Sequence, residues 1–199
     1  MQKNTKTISL AAMIAIVGIA TSVIAINEVS NETTQLATQE LVIQEIKGSM
    51  DNYTLEELAS GTKYAIIGKV KQVTPVIVEK NADEHRKYKT IFSDVKIQVE
   101  KDLNNLYSED IISVRIQGGQ IGNLKTVAEL NPTFKVNERV LFFVADKEPN
   151  SIWGDNYYVA GLHLGKYSLS DGDANREKVN DKQTERDLVS KIQTIRGNK

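Results

Sequence analysis

Thr90-Ile91-Phe92-Ser93-Asp94-Val95-Lys96-Ile97-Gln98-Val99 is the stretch that decides the fold. Ile91, Ser93, Val95, Ile97 and Val99 fall on one side of an extended chain, and Thr90, Asp94, Lys96 and Gln98 on the other. Side chains alternate across a strand, so this period of two predicts one buried face and one wet face. Ile112, Val114 and Ile116 repeat the pattern against Ser113, Arg115 and Gln117. Upstream, Tyr64, Ile66 and Val70 alternate with Lys69 and Lys71. Pro75 is expected to end or bulge that strand, because it cannot donate to a ladder. Lys80 to Lys87 reads as a polar loop. Val140 to Ala145 is apolar on both faces and reads as the most buried strand. Tyr157 to Gly161 and Lys166 to Leu169 complete the set. About six strands in roughly 110 residues, with no long helical pattern between them, predict a mainly β fold with flanking helices. Its expected form is a small antiparallel barrel over 53–170, not a βαβ sheet.

The flanks read as helix. From Ser30 to Gly48, Leu36, Ile43 and Ile46, with Val42 alongside, share one helical face, giving a helical stalk over 28–52. Thr54-Leu55-Glu56-Glu57 has the spacing of a capping box, with a short helix stopping at Gly61. The tail, 171–199, carries seven basic and six acidic residues. Within it Leu188, Ile192 and Ile195, widened by Val189, make the stripe of an amphipathic helix from about Asp181 to Ile195. That stripe packs on the barrel or on the first helix, or meets a partner.

The N-terminus carries an address. Lys3 and Lys6 precede an uncharged run in which Ile8 to Ile26 is 19 residues long. A short basic region before an apolar run is the pattern of a secretory signal, and Val23 and Ala25 suit a cleavage site. The same length approaches the ~20 residues that span a bilayer, so residues 1–27 read equally as an uncleaved hydrophobic helix anchoring the chain. Either way the lysines stay inside and the remainder lies on the extracellular side, anchored or secreted. Cleavage after Ala25 leaves 174 of the 199 residues and takes the net charge from −1 to −3.

The strand sequences also carry a resemblance. Tyr64-Ala65-Ile66-Ile67-Gly68-Lys69-Val70 comes first, and Val114-Arg115-Ile116-Gln117-Gly118-Gly119 ends the third strand. Phe134 to Phe143 contains Asn137-Glu138-Arg139-Val140-Leu141-Phe142-Phe143, and Gly161 to Tyr167 contains Gly165-Lys166-Tyr167. Together they resemble a loose group of uncharacterised exported prokaryotic domains that look like small OB-type β-barrels. The likeness covers roughly Tyr53 to Leu169 and implies fold and location, with no site residues. Asn137 stands where the group has glycine, and asparagine tolerates the left-handed region better than most residues.

No constellation for catalysis stands out. The chain has no cysteine, which excludes disulfides, thiolate metal sites and thiol nucleophiles. The balanced charge argues against nucleic acid as a partner. His85 sits in the charged loop beside Asp83 and Glu84, and His163 lies on a predicted strand, so the two histidines do not form a ligand set by spacing alone. Asp171-Gly172-Asp173 reads as a polar turn before it reads as a calcium loop. Gly118-Gly119-Gln120-Ile121-Gly122 lacks the spacing of a phosphate loop and reads as a turn or bulge at a barrel corner. Trp153, Tyr157 and Tyr158 are candidates for a binding face, with core packing as the other reading of the same residues. Asn31 and Asn52 fit the N-glycosylation pattern.

These readings converge on a non-enzymatic module with no cofactor, exported or held in the membrane by its N-terminal segment. Its expected partner is an envelope or secreted protein. The alternatives are an extracellular metal- or carboxylate-dependent hydrolase, and an inhibitor or accessory domain for a secreted protease.

Overall fold

The structure is a computed structural model that describes residues 21–24, 40–50, 52–81, 87–148, 151, 153–179 and 181–197. In chain order the elements are β1 (Thr21–Ile24), β2 (Leu41–Ile46), α1 (Leu55–Gly61), β3 (Tyr64–Asn81) and β4 (Lys87–Asp102). Then come β5 (Ile111–Gln117), β6 (Gly119–Ile121), β7 (Leu124–Ala128), β8 (Arg139–Ala145) and β9 (Tyr158–Val159). A 3-10 turn over Leu162–Gly165 leads into β10 (Lys166–Ser170), β11 (Asp173–Arg176), β12 (Lys182–Thr184) and α2 (Glu185–Gly197). Among the described residues the fold is mainly β with two helices, as the alternation predicts.

The larger sheet runs β12-β11-β10-β8-β3-β4-β5 in antiparallel pairs, with β9 also on β8. A smaller sheet runs β1-β2-β7-β6, in which β2 and β7 are parallel. Among the described residues both sheets are open in their strand pairing, which does not close them into the expected barrel. On the β5 side a single parallel bridge joins Val114 to Tyr157, and the next two residues form β9.

Alternation along β3 and β8 builds two cores back to back. Ile66, Val140, Phe142 and Val144 face an inner core shared with Val95, Ile97, Ile112 and Val114. Ala65, Ile67, Leu141 and Phe143 face the helices, where Leu58 and Ala59 of α1 meet Leu188 and Ile192 of α2. Val140 to Val144 is therefore buried on both faces, which its continuous apolar run predicts. The Thr54 cap forms as read: its hydroxyl accepts from the Glu57 amide at 3.2 Å, and the Glu57 carboxylate accepts from the Thr54 amide at 2.9 Å.

Several expectations change. The helical stalk is replaced over Leu41–Ile46 by β2, because Val42, Ile43 and Ile46 are β-branched and β7 offers a ladder to join. Within the N-terminal run, Thr21–Ile24 is strand β1 and not helix. The rest of that run and residues 28–39 of the stalk, Asn31 among them, lie outside the described residues. Thr90 is only 2% exposed, because β7 covers that end of β4: the Ile91 amide donates to Thr126 Oγ1 at 3.2 Å. Gln117, read as outward, is buried where its backbone N–H donates to Asn131 Oδ1 at 3.2 Å. β3 runs straight through Pro75, and its register shifts fall earlier, at Ile67/Gly68 and Val70/Gln72. β8 pairs with β3 only as far as Lys69, so Pro75 interrupts no β8 ladder. Within the predicted strand from Tyr157, Gly161 and Leu162 both take left-handed backbone, so the strand stops at Val159 and His163 falls in the 3-10 turn. The tail's first half is not separate from the sheet, since β11 and β12 extend it across the boundary at 170/171.

Two turns confirm what their residues suggest. Gly118 and Gly119, at φ 118° and 139°, carry the chain from the larger sheet into the smaller. A Cβ on Gly119 would stand 2.7 Å from Ser93 Oγ. Asp171 and Gly172, both at positive φ, form the two-residue loop between Ser170 and Asp173 that a tight hairpin needs.

Candidate functional site

The three aromatic candidates divide. Trp153 and Tyr158 are each 3% exposed, and their rings stack at 5.2 Å with Phe92 edge-on to Trp153 at 5.8 Å. The Tyr158 hydroxyl donates to Glu148 at 2.6 Å. Burial first, and then that bond, push this phenol well above its ordinary range. These two residues are core, which is the packing alternative of the sequence reading. Tyr157 is half-buried, because successive strand residues point to opposite faces.

Tyr157 belongs to a cluster at one end of the inner core. Its ring stands edge-on to Tyr64 at 6.3 Å, and Tyr64 is edge-on to Tyr107 at 5.4 Å. Lys63 Nζ lies 4.9 Å above the Tyr64 ring and Lys147 Nζ 5.0 Å above the Tyr157 ring, both within cation–π range. Each ring has its own support. Tyr64 opens β3. Tyr157 is fixed by the Arg115 amide, which donates to its carbonyl at 2.8 Å. Tyr107 is held by the buried Asp102 carboxylate, which accepts from the amides of Leu106 at 2.8 Å and Tyr107 at 3.0 Å. The Tyr107 hydroxyl donates to the Ile111 carbonyl at 3.0 Å. Burial, aided by the charge of Glu109, pushes this phenol up to about 12.

Two large apolar side chains flank the rings in the open: Leu106 is 59% exposed and Ile111 is 43% exposed. A groove of about 570 Å³ opens beside Leu106, lined by Lys63, Leu103, Asn104, Leu106 and Arg196 among others. The patch thus has an aromatic and aliphatic centre with lysines at its rim. That combination suits binding, since tyrosine supplies area at low entropic cost. It offers no nucleophile paired with a base.

A second cluster joins two charges that the strand motifs contain. Lys166 is 2% exposed and donates to Thr133 O at 2.7 Å, Glu138 Oε1 at 2.6 Å and Ser168 Oγ at 3.2 Å. Ser168 Oγ donates in turn to Glu138 Oε1 at 2.5 Å, and the Lys135 amide donates to Glu138 Oε2 at 3.0 Å. The left-handed Asn137, φ 71°, turns the chain so that Glu138 can face β10. A serine–lysine nucleophile needs an amine free to take the hydroxyl proton. Here all three ammonium protons have acceptors and the hydroxyl proton is aimed at a carboxylate, so the cluster is a clamp on the 131–138 loop. Spacing alone could not reveal it, since 28 residues separate the partners.

The clamp carries a pH dependence. Burial raises the Glu138 carboxyl, but the bonds from Lys166, Ser168 and Lys135 outweigh it, and the net displacement is downward. A depressed carboxyl stabilises the fold fully above its unfolded value of about 4.3, and that contribution fades as pH falls through the lower folded value. Urea titrations from about pH 7 down to about pH 2 are expected to show this acid loss. Glu138→Gln is expected to flatten it while lowering stability at neutral pH. An unchanged acid limb in that variant contradicts the assignment.

The remaining candidates stay apart. His163 Nδ1 is 2.9 Å from the Leu130 carbonyl, and His85 lies outside the described residues. Asp173 pairs with Lys182 at 2.7 Å beside its hairpin turn. Among the described residues no three His, Asp or Glu side chains converge to hold a metal ion, and no helix is long and apolar enough to cross a membrane. Asn52 is exposed just before the Thr54 cap. No protein-family profile, curated protein or solved structure matches the chain.

Proposed function

We propose that this chain is a non-enzymatic binding module, exported or anchored on the outer side of a membrane, whose partner is an envelope or secreted protein. The observation that carries the proposal is the patch of Leu106, Tyr107, Ile111 and Tyr157, apolar and partly open, rimmed by Lys63 and Lys147. Buried aromatic anchors within a polar rim dominate protein interfaces, and a lysine rim favours an acidic partner surface. Location rests on the basic-then-apolar N-terminus. The OB-like reading of the fold belongs to the same proposal. Its support is that β3 pairs with both β4 and β8, while the Val114–Tyr157 bridge leads from β5 into β9 on β8.

The test is recovery of bound proteins from the envelope fraction with the tagged full chain and its variants. Tyr157→Ala and Leu106→Glu are expected to lose a partner that the parent chain retains, with no loss of folding. Trp153→Ala is expected to act differently, destabilising the fold by about 3–5 kcal/mol as a buried aromatic deletion. Turnover in a broad hydrolase screen, abolished by one polar substitution, would overturn the non-enzymatic reading.

A further inference from the structure

β1 holds a contradiction that bears on assembly. Thr21–Ile24 pairs antiparallel with β2, setting Thr21 opposite Gln44 and Ile24 opposite Leu41. The same four residues lie inside the apolar run that serves as leader or anchor under the proposed location. A discarded leader is gone, and an anchor needs those residues in helix within lipid. In the exported protein, therefore, β2 keeps β7 on one side and has nothing from β1 on the other. An open edge presents unpaired N–H and C=O groups and templates another strand. Leu41-Val42-Ile43-Gln44-Glu45-Ile46 contains no proline or lysine to blunt it, and all six side chains are only half-buried.

We propose that, in the exported form, two copies of this chain pair through the β2 edge, antiparallel about a two-fold axis. The inference rests on the export reading above. β1 already shows that this edge accepts a short β-branched strand in antiparallel sense. A second copy offers such a strand with the same open edge, and a two-fold pairing closes both edges at once. Charge permits it. With the axis at Ile43, the two copies' Ile43 residues stand opposite each other and Glu45 meets the partner's Leu41, so no like charges stand opposite each other. The result is one continuous sheet, β6-β7-β2 from each copy, while the tyrosine patch lies on the other sheet and stays free.

The absence of cysteine makes the test clean. Single cysteines are placed at Val42, Ile43 or Gln44 of the full chain, with Gln193→Cys on the exposed side of α2 as control. Residues opposite each other in a strand pair come within disulfide reach. Under oxidation the exported chain is expected to shift from one chain mass to two for at least one β2 position and not for the control. Intact mass and fractionation report separately whether the chain was exported and where its N-terminus begins. No shift at any β2 position in exported chain overturns the pairing, and cross-links only to other proteins overturn the second copy as occupant. Should the chain stay inside the cell, the export reading falls. Val23→Pro in the same cysteine variants then unpairs β1, and no cross-link in that background overturns the pairing as well.

Discussion

Lys166→Met is expected to lower stability by about 3–5 kcal/mol, the cost of removing the buried cation and leaving the part-buried Glu138 carboxylate unpaired. The methionine keeps most of the stem's volume and removes the ammonium, so Glu138, Ser168 and Thr133 O lose their shared donor. A domain of this size has about 5–15 kcal/mol in all, so the variant should be close to unfolding at physiological temperature. Charge, and not volume, is the cause if Glu138→Gln added to Lys166→Met restores much of the loss. Denaturant melts of the parent, the two single variants and the pair give the coupling directly. Additive losses, with no restoration in the pair, would refute the clamp.

Phe142→Ala and Phe143→Ala are each expected to cost about 3–5 kcal/mol, though the two side chains sit in different cores. Neighbours in sequence, they point to opposite faces of β8, and neither is exposed. The consequences should differ in kind. Phe143 packs with Leu58, Leu188 and Ile192, so its loss should loosen α1 and α2 and raise amide exchange there first. Phe142 stands edge-on to Phe134 at 6.2 Å, so its loss should loosen the 131–138 loop and the inner core. Hydrogen exchange on the two variants separates these outcomes. A single shared pattern means that the two cores are one cooperative unit.

The strands were legible wherever burial is one-sided or complete. Ile112, Val114 and Ile116 alternate because one face meets the inner core, and Val140 to Val144 is unbroken because both faces are covered. The pattern misled where a second layer hides a polar side chain. Thr90 reads as outward on its own strand, yet it is buried at the end of β4 that β7, more than thirty residues later, bonds to. β2 misled for the opposite reason: its apolar residues also fit a helical stripe, and a parallel neighbour, which no local pattern reveals, decides for strand. The aromatic candidates were half legible. Composition marks Trp153, Tyr157 and Tyr158 together, but Tyr157 sits on a bridge to β5 and Tyr158 on β9 beside β8, so which of them is buried depends on distant strands. Tyr64, Tyr107 and the lysines above the rings had no spacing signal, since their proximity arises from the ends of β3, β4 and β8. The Glu138–Lys166 clamp was visible as two motif residues and invisible as a pair.

α2 completes a core that begins with α1, and this sets an order in time. The inner core has its strands once Val159 has been synthesised. The other core still lacks Leu188 and Ile192, so Leu58, Leu141 and Phe143 keep an uncovered side until α2 is made. A chain delivered from its N-terminus therefore passes through a stage with half its architecture assembled and a sticky apolar wall facing outward. During that interval the nascent protein is most open to chaperones, proteases and its own kind, and arrival of α2 ends the exposure.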